Sequence, residues 1–111
     1  MTRTDFVQRL GTPAHCFADT LAFIDAEYRF TPSAFDNGTL HNDESENQGS
    51  CRVLAMAIDT GLNDEQALQC FAEHYQAVLA DPDGTAHGNI RALMRSGLAG
   101  VRFQTFPLAR R

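Results

Sequence analysis

Gly49-Ser50-Cys51 is the segment with the sharpest chemistry. A cysteine in the first turn of a helix has its thiol pKa lowered by the helix dipole, and the free amides there can also hold an oxyanion. A thiolate nucleophile wants a histidine base that an amide or carboxylate orients, and His87 with Asn89 or Asp83 supplies those types further along the chain. Gln48 is placed to donate to the oxyanion. Cys51, His87 and Asn89 are therefore candidate catalytic residues of a small cysteine-dependent hydrolase or transferase. The same residues have a structural explanation, which the frequency of buried cysteines favours: Ser50 caps the helix, Cys51 fills the core, and His87 with Asn89 ties down a loop. On that explanation the chain is a non-catalytic binding or regulatory module. An enzyme requires a partly exposed Cys51 with a His87 nitrogen in reach, whereas a binding module has a buried Cys51.

A second constellation is the polar run Asp36, Asn37, His41, Asn42, Asp43, Glu44, Glu46 and Asn47. Oxygen-rich loops of this kind hold hard cations, and His41 with His87 and a carboxylate would hold a transition metal. Neither Asp36-Asn37-Gly38 nor Asp81-Pro82-Asp83-Gly84 has the EF-hand spacing, and a solvated polar loop, or one whose asparagines satisfy its own backbone, explains the run better. No metal or cofactor is assigned. Asn37, His41, Asn42, Asn47, Ser50, Asp83 and Arg91 are instead candidates for contact with a small-molecule or protein partner. Asp25 and Arg91 each stand beside strong apolar positions, which suggests partly buried charges paired with one another.

These residues need elements to hold them. Phe6, Val7 and Leu10 share a helical face before Gly11. Thr12-Pro13 offers a cap and a first helical residue for a second helix through Phe17, Leu21, Ile24 and Tyr28. From Phe30 to Ser50 lies a long polar excursion, with Asn37-Gly38 as a hairpin dipeptide between Ala34-Phe35 and Thr39-Leu40. Ser50 caps a third helix that ends at Gly61, and Asn63-x-x-Gln66 opens a fourth that runs unbroken to the Asp81-Pro82-Asp83-Gly84 turn. A fifth carries Ile90, Leu93 and Met94 inward, and Val101 to Phe106 alternates like one strand whose natural partner is the hairpin. The expected class is α+β and mainly α, with about five helices and a small β-hairpin and strand element in one domain.

The 111 residues carry a net charge of -5, which argues against a surface that neutralises many phosphates and so against nucleic acid. No apolar stretch approaches the ~20 residues that cross a bilayer, and residues 1 to 10 lack the apolar core of a secretory signal. All 9 basic residues are arginines, so there is no lysine for Schiff-base chemistry. The 3 cysteines are odd in number and lack metal-ribbon spacing, which suits free thiols in the cytoplasm.

The order of motifs is specific when taken together. Ile24-Asp25 precedes Tyr28-x-Phe30-Thr31-Pro32-x-x-Phe35-x-Asn37-Gly38, followed by Asn42 and Asn47-x-Gly49-Ser50-Cys51, then Asp83-Gly84-x-x-His87-x-Asn89-Ile90-Arg91 and Gly97-x-x-Gly100. Over roughly residues 5 to 108 this resembles the HopJ type III effector family. The resemblance implies a shared fold and an uncharacterised role, with export to a host cell by type III secretion as the alternative to a cytoplasmic location. Arg29 between the tyrosine and phenylalanine, and Leu98 where the family is expected to have tryptophan, are small departures. Residues 4 to 10 read as an ordered amphipathic helix, unlike the polar, disordered start of a type III export signal.

Overall fold

The structure, a computed structural model, describes residues 1–111 as six α-helices, one 3₁₀ turn and five short strands. Helix α1 (Arg3–Arg9) begins in a capping box, in which the Thr2 hydroxyl accepts from the Asp5 amide at 3.0 Å. Helix α2 (Phe17–Glu27) starts later than Thr12-Pro13 suggested, because the Thr12 hydroxyl is spent on the Arg9 carbonyl at 2.7 Å, closing α1. Its first turn is instead held by the Asp19 carboxylate, which accepts from the Cys16 amide at 3.1 Å. The chain passes directly into β1 (Tyr28–Phe30), then β2 (Phe35–Asn37) and β3 (Leu40–Asn42).

Asn37 pairs with Leu40, so the hairpin turn is Gly38-Thr39, one residue beyond the dipeptide expected. Gly38 has φ +61, and a Cβ there would meet the Ser96 hydroxyl at 2.5 Å, so geometry and space both demand glycine. Helix α3 (Gln48–Thr60) is the hub: Val53, Leu54, Ala55, Met56 and Ala57 are all fully buried, the pattern of a helix packed on every side. It ends at Gly61 in the left-handed conformation, as expected.

The expected fourth helix is two, α4 (Asp64–Gln69) and α5 (Glu73–Ala80). Between them Ala72 has φ 50 and ψ -116, a region that suits glycine and costs another residue about 1–3 kcal/mol. Phe71, Ala72 and Tyr75 are all buried across this break, so packing holds the unfavourable conformation. Helix α6 (Gly88–Ser96) leads through the 3₁₀ turn Leu98–Gly100 to β4 (Val101–Phe103) and β5 (Leu108–Arg110).

Strand β4 joins the hairpin, as expected, to give the antiparallel sheet β3-β2-β4 with Phe35 opposite Phe103. A second sheet, absent from the sequence reading, pairs β1 with β5, with Phe30 opposite Leu108. The class is therefore α+β and mainly helical, with 21 buried residues from both sheets and the helices meeting in one cluster. No helix is long and apolar enough to cross a membrane.

His15 is buried at the foot of α2, where its Nε2 lies 2.7 Å from the Thr20 hydroxyl and its ring edge meets Phe6. Burial pushes its pKa below the ordinary imidazole value, the nearby Asp19 only partly opposing this. Because the unfolded chain takes the proton first, stability is complete above about pH 6.5 and declines as pH falls through the folded pKa. Exposed His41 works in the opposite sense, for Asp36 and Asp43 raise its pKa. Thermal melts of His41→Asn protein are therefore expected to show Tm falling between pH 7 and 5.5, and the additional change His15→Gln to flatten that slope.

Candidate functional site

Helix α3 starts at Gln48 rather than at Cys51, with Asn47 as a left-handed N-cap (φ 49), so Ser50 is not the cap. Cys51 lies one turn in, its amide already donating to the Asn47 carbonyl at 3.0 Å. The side chain is fully buried, and its Sγ is 3.8 Å from the Ser33 carbonyl, toward which the S–H points. Burial pushes the thiol up to about 11, the opposite of what a nucleophile needs. His87 is exposed and lies against His74, the rings tilted by 34° with centroids 5.0 Å apart. Asn89 is turned toward other asparagines, and the Gln48 amide donates to the Glu46 carbonyl at 2.7 Å. The catalytic set Cys51, His87, Asn89 is thus not assembled as a triad, because the helix starts earlier and carries the thiol into the core.

What is assembled is a network of four asparagines. The Asn89 Nδ2 donates to the Asn42 Oδ1 at 3.0 Å, and Asn47 donates to the same oxygen at 2.8 Å. Asn37 donates to the Asn89 carbonyl at 2.8 Å and to its Oδ1 at 3.1 Å. Asn37, Asn42 and Asn89 are buried, so amide pairs clamp the β2–β3 hairpin to the starts of α3 and α6. These residues converge as a scaffold rather than as free ligand contacts.

Beside the network the two helix starts face one cleft of about 240 Å³, edged by Asn47, Gly49, Ser50, His87, Gly88 and Asn89. Its wall is aromatic: Phe17 stacks on Phe71 at 5.9 Å and meets the His74 ring edge-on at 4.9 Å. Neither helix has a side-chain cap, and both N-caps, Asn47 and His87, are left-handed. The first amides of each helix consequently have no intrahelical acceptor. No Asp or Glu side chain lines the cleft, so an acceptor or anion entering it meets amide dipoles, a hydroxyl and imidazoles. His74 and Phe17 were missed from the sequence; the signal was a histidine three residues after Phe71 on the otherwise apolar side of its helix.

The remaining candidates lie elsewhere. His41 is exposed on β3, with Nδ1 2.7 Å from Asp36 and Nε2 3.1 Å from Asp43, so both nitrogens are engaged by carboxylates. No group of three or more His, Cys, Asp or Glu side chains is placed to hold a metal ion, so His41 and His87 are not brought together as the alternative transition-metal site. Arg91 is not an anion receptor: its guanidinium donates to the carbonyls of Ala86, Pro82 and Asp81 at 2.7, 3.2 and 2.9 Å, fastening the turn before α6. Asp83 sits exposed in that turn. Asp25 does not pair with Arg91; it lies 3.7 Å from Arg52, whose guanidinium also covers the Phe30 ring.

Comparison with known proteins follows the same lines. No curated protein matches the chain. Among solved structures, that of a protein of unknown function, VPA0580, superposes with a TM-score of 0.92 at 37% sequence identity, covering 100% of this chain and 95% of that one. The family model described as HopJ type III effector protein matches residues 3–108, so this chain belongs to the HopJ family.

Proposed function

We propose that this HopJ-family protein is a non-catalytic binding module whose ligand seats in the cleft between the starts of α3 and α6. One observation carries the reading: two uncapped helix starts and two histidines open on the same cleft, while Cys51 is sealed in the core. Such a surface suits a carboxylate or phosphate group, carried by a small molecule or by a partner protein, because the amides are already oriented and need no reorganisation. Ser50 contributes a hydroxyl, Asn47 and Asn89 fix the two helix starts, and His87 closes one side.

Titration of ¹⁵N-labelled protein with inorganic phosphate and with acetate is expected to shift the amides of Gly49, Ser50, Gly88 and Asn89 saturably. His87→Glu, which places a carboxylate at the rim, should weaken the phosphate response about tenfold, since a like charge beside the site opposes binding. Amides that stay still with either anion would overturn the reading. The site of action we propose is the cytoplasm, supported by three unpaired cysteines, two of them buried. Recovery of the chain from a host cell after type III secretion would contradict that placement.

A further inference from the structure

The cleft between the starts of α3 and α6 joins two chemically different surfaces. On one, Cys51 and Ile90 are the first residues whose amides donate within their own helices, each to the N-cap carbonyl, which leaves the amides of Gly49, Ser50, Gly88 and Asn89 open to an acceptor. On the other stand the rings of Phe17, His74 and His87, none of them buried. His74 meets Phe17 edge-on at 4.9 Å and lies 5.0 Å from His87, so the three rings are contiguous. Phe71, itself buried, backs Phe17 at 5.9 Å and holds it in place. The two surfaces adjoin, for a Cβ built at Gly49 would lie 3.7 Å from Phe17 Cζ.

Charge sets which part of a ligand goes where. Glu73 does not line the cleft, but it accepts from the Phe17 amide at 2.7 Å, a bond that keeps its carboxyl ionised beside the rings. An anionic group is therefore repelled from the ring side and drawn to the amides, which leaves the rings to the rest of the ligand. Rings favour another ring there, since edge-on and offset-stacked contacts add to the burial of area, whereas a saturated group of the same size gains burial alone. At about 240 Å³ the cleft is smaller than the roughly 300–1,000 Å³ of sites for drug-sized molecules, so it takes one ring rather than two.

We infer that the ligand of the cleft is a small aryl acid, one aromatic ring bearing a carboxylate or phosphate, with its anionic group on the helix starts and its ring against Phe17 and His74. This rests on the anion-binding reading above and narrows it to a chemical class.

The test titrates the full-length ¹⁵N-labelled protein, at fixed pH and ionic strength, with acetate, benzoate and cyclohexanecarboxylate in turn. The last matches benzoate in charge and size but not in aromaticity. Benzoate is expected to saturate the amide shifts of Gly49, Ser50, Gly88 and Asn89 at concentrations about tenfold below acetate and about threefold below cyclohexanecarboxylate. In Phe17→Leu and in His74→Gln the preference for benzoate over cyclohexanecarboxylate should fall toward one. Both ligands are read in the same protein, so a partial loss of fold cancels from that ratio. Amides that stay still with all three acids would overturn the anion reading and this inference together. Saturable acetate binding, with benzoate no tighter than cyclohexanecarboxylate, would overturn the inference alone, and so would a preference left unchanged in both variants.

Discussion

Native protein incubated with iodoacetamide at pH 8 is expected to take up label at Cys16 and to leave Cys51 and Cys70 unmodified. Cys16 is partly exposed, whereas the other two thiols are fully buried. Burial pushes Cys51 up to about 11 and Cys70 up to about 12. At pH 8 an ordinary thiol of pKa about 8.5 is about one-quarter thiolate, but one of pKa about 11 is only about a thousandth thiolate, a factor above one hundred before access is considered. Peptide mass mapping after timed quenching reads each site, and denaturant should bring all three to similar rates. Labelling of Cys51 at a rate near that of Cys16, slowed by His87→Ala, would restore the cysteine enzyme and remove the binding module.

A large loss of stability is also expected at a polar residue. Asn89→Ala should cost about 3 kcal/mol and lower Tm by on the order of 10 °C, because it strips partners from Asn37 and Asn42 at once. Both are almost completely inaccessible, so water cannot readily replace what is lost. A cycle of Asn37→Ala, Asn89→Ala and the double variant should show a coupling of about 1 kcal/mol or more, since the two amides bond directly. Anion shifts at Gly49 and Gly88 should weaken in parallel, because Asn89 links the starts of both helices through Asn42 and Asn47. Strict additivity, with a loss below about 1 kcal/mol, would mean that the network is wet and does not fix the cleft.

Much of the architecture was legible where local chemistry and packing agree. The Asn63-x-x-Gln66 capping box and the stop at Gly61 appear where the sequence puts them. The β4 strand met its expected partner because the hairpin was the remaining open edge. Legibility failed where tertiary packing decides. Leu68, Phe71, Ala72 and Tyr75 keep helical spacing straight through the break, and no glycine or proline marks Ala72. Strands of three residues are too short for alternation to register, which hid β1 and β5. Asn47 in the left-handed conformation starts α3 three residues before Ser50, and that shift moves Cys51 from a dipole-activated terminus into the core. Asn37, Asn47, Ser50, Cys51, His87 and Asn89 could be grouped from the two long turns that lead into helix starts, though the structure withdraws Cys51 into the core. Which of them would bond to one another could not, since Asn37 and Asn89 lie 52 positions apart.

The pairing of β1 with β5 and of β2 with β4 joins strands that lie on either side of helices α3 to α6 in the chain. A nascent chain that has reached only α6 carries a hairpin edge at Phe35–Asn37 and a lone strand at Tyr28–Phe30 with nothing to zip onto either. Closing those long loops is an entropic hurdle that grows slowly with separation but comes before any ladder bond forms. Neither sheet can therefore be completed until the chain beyond α6 has docked, and residues 101–110 act as the clasp that closes both.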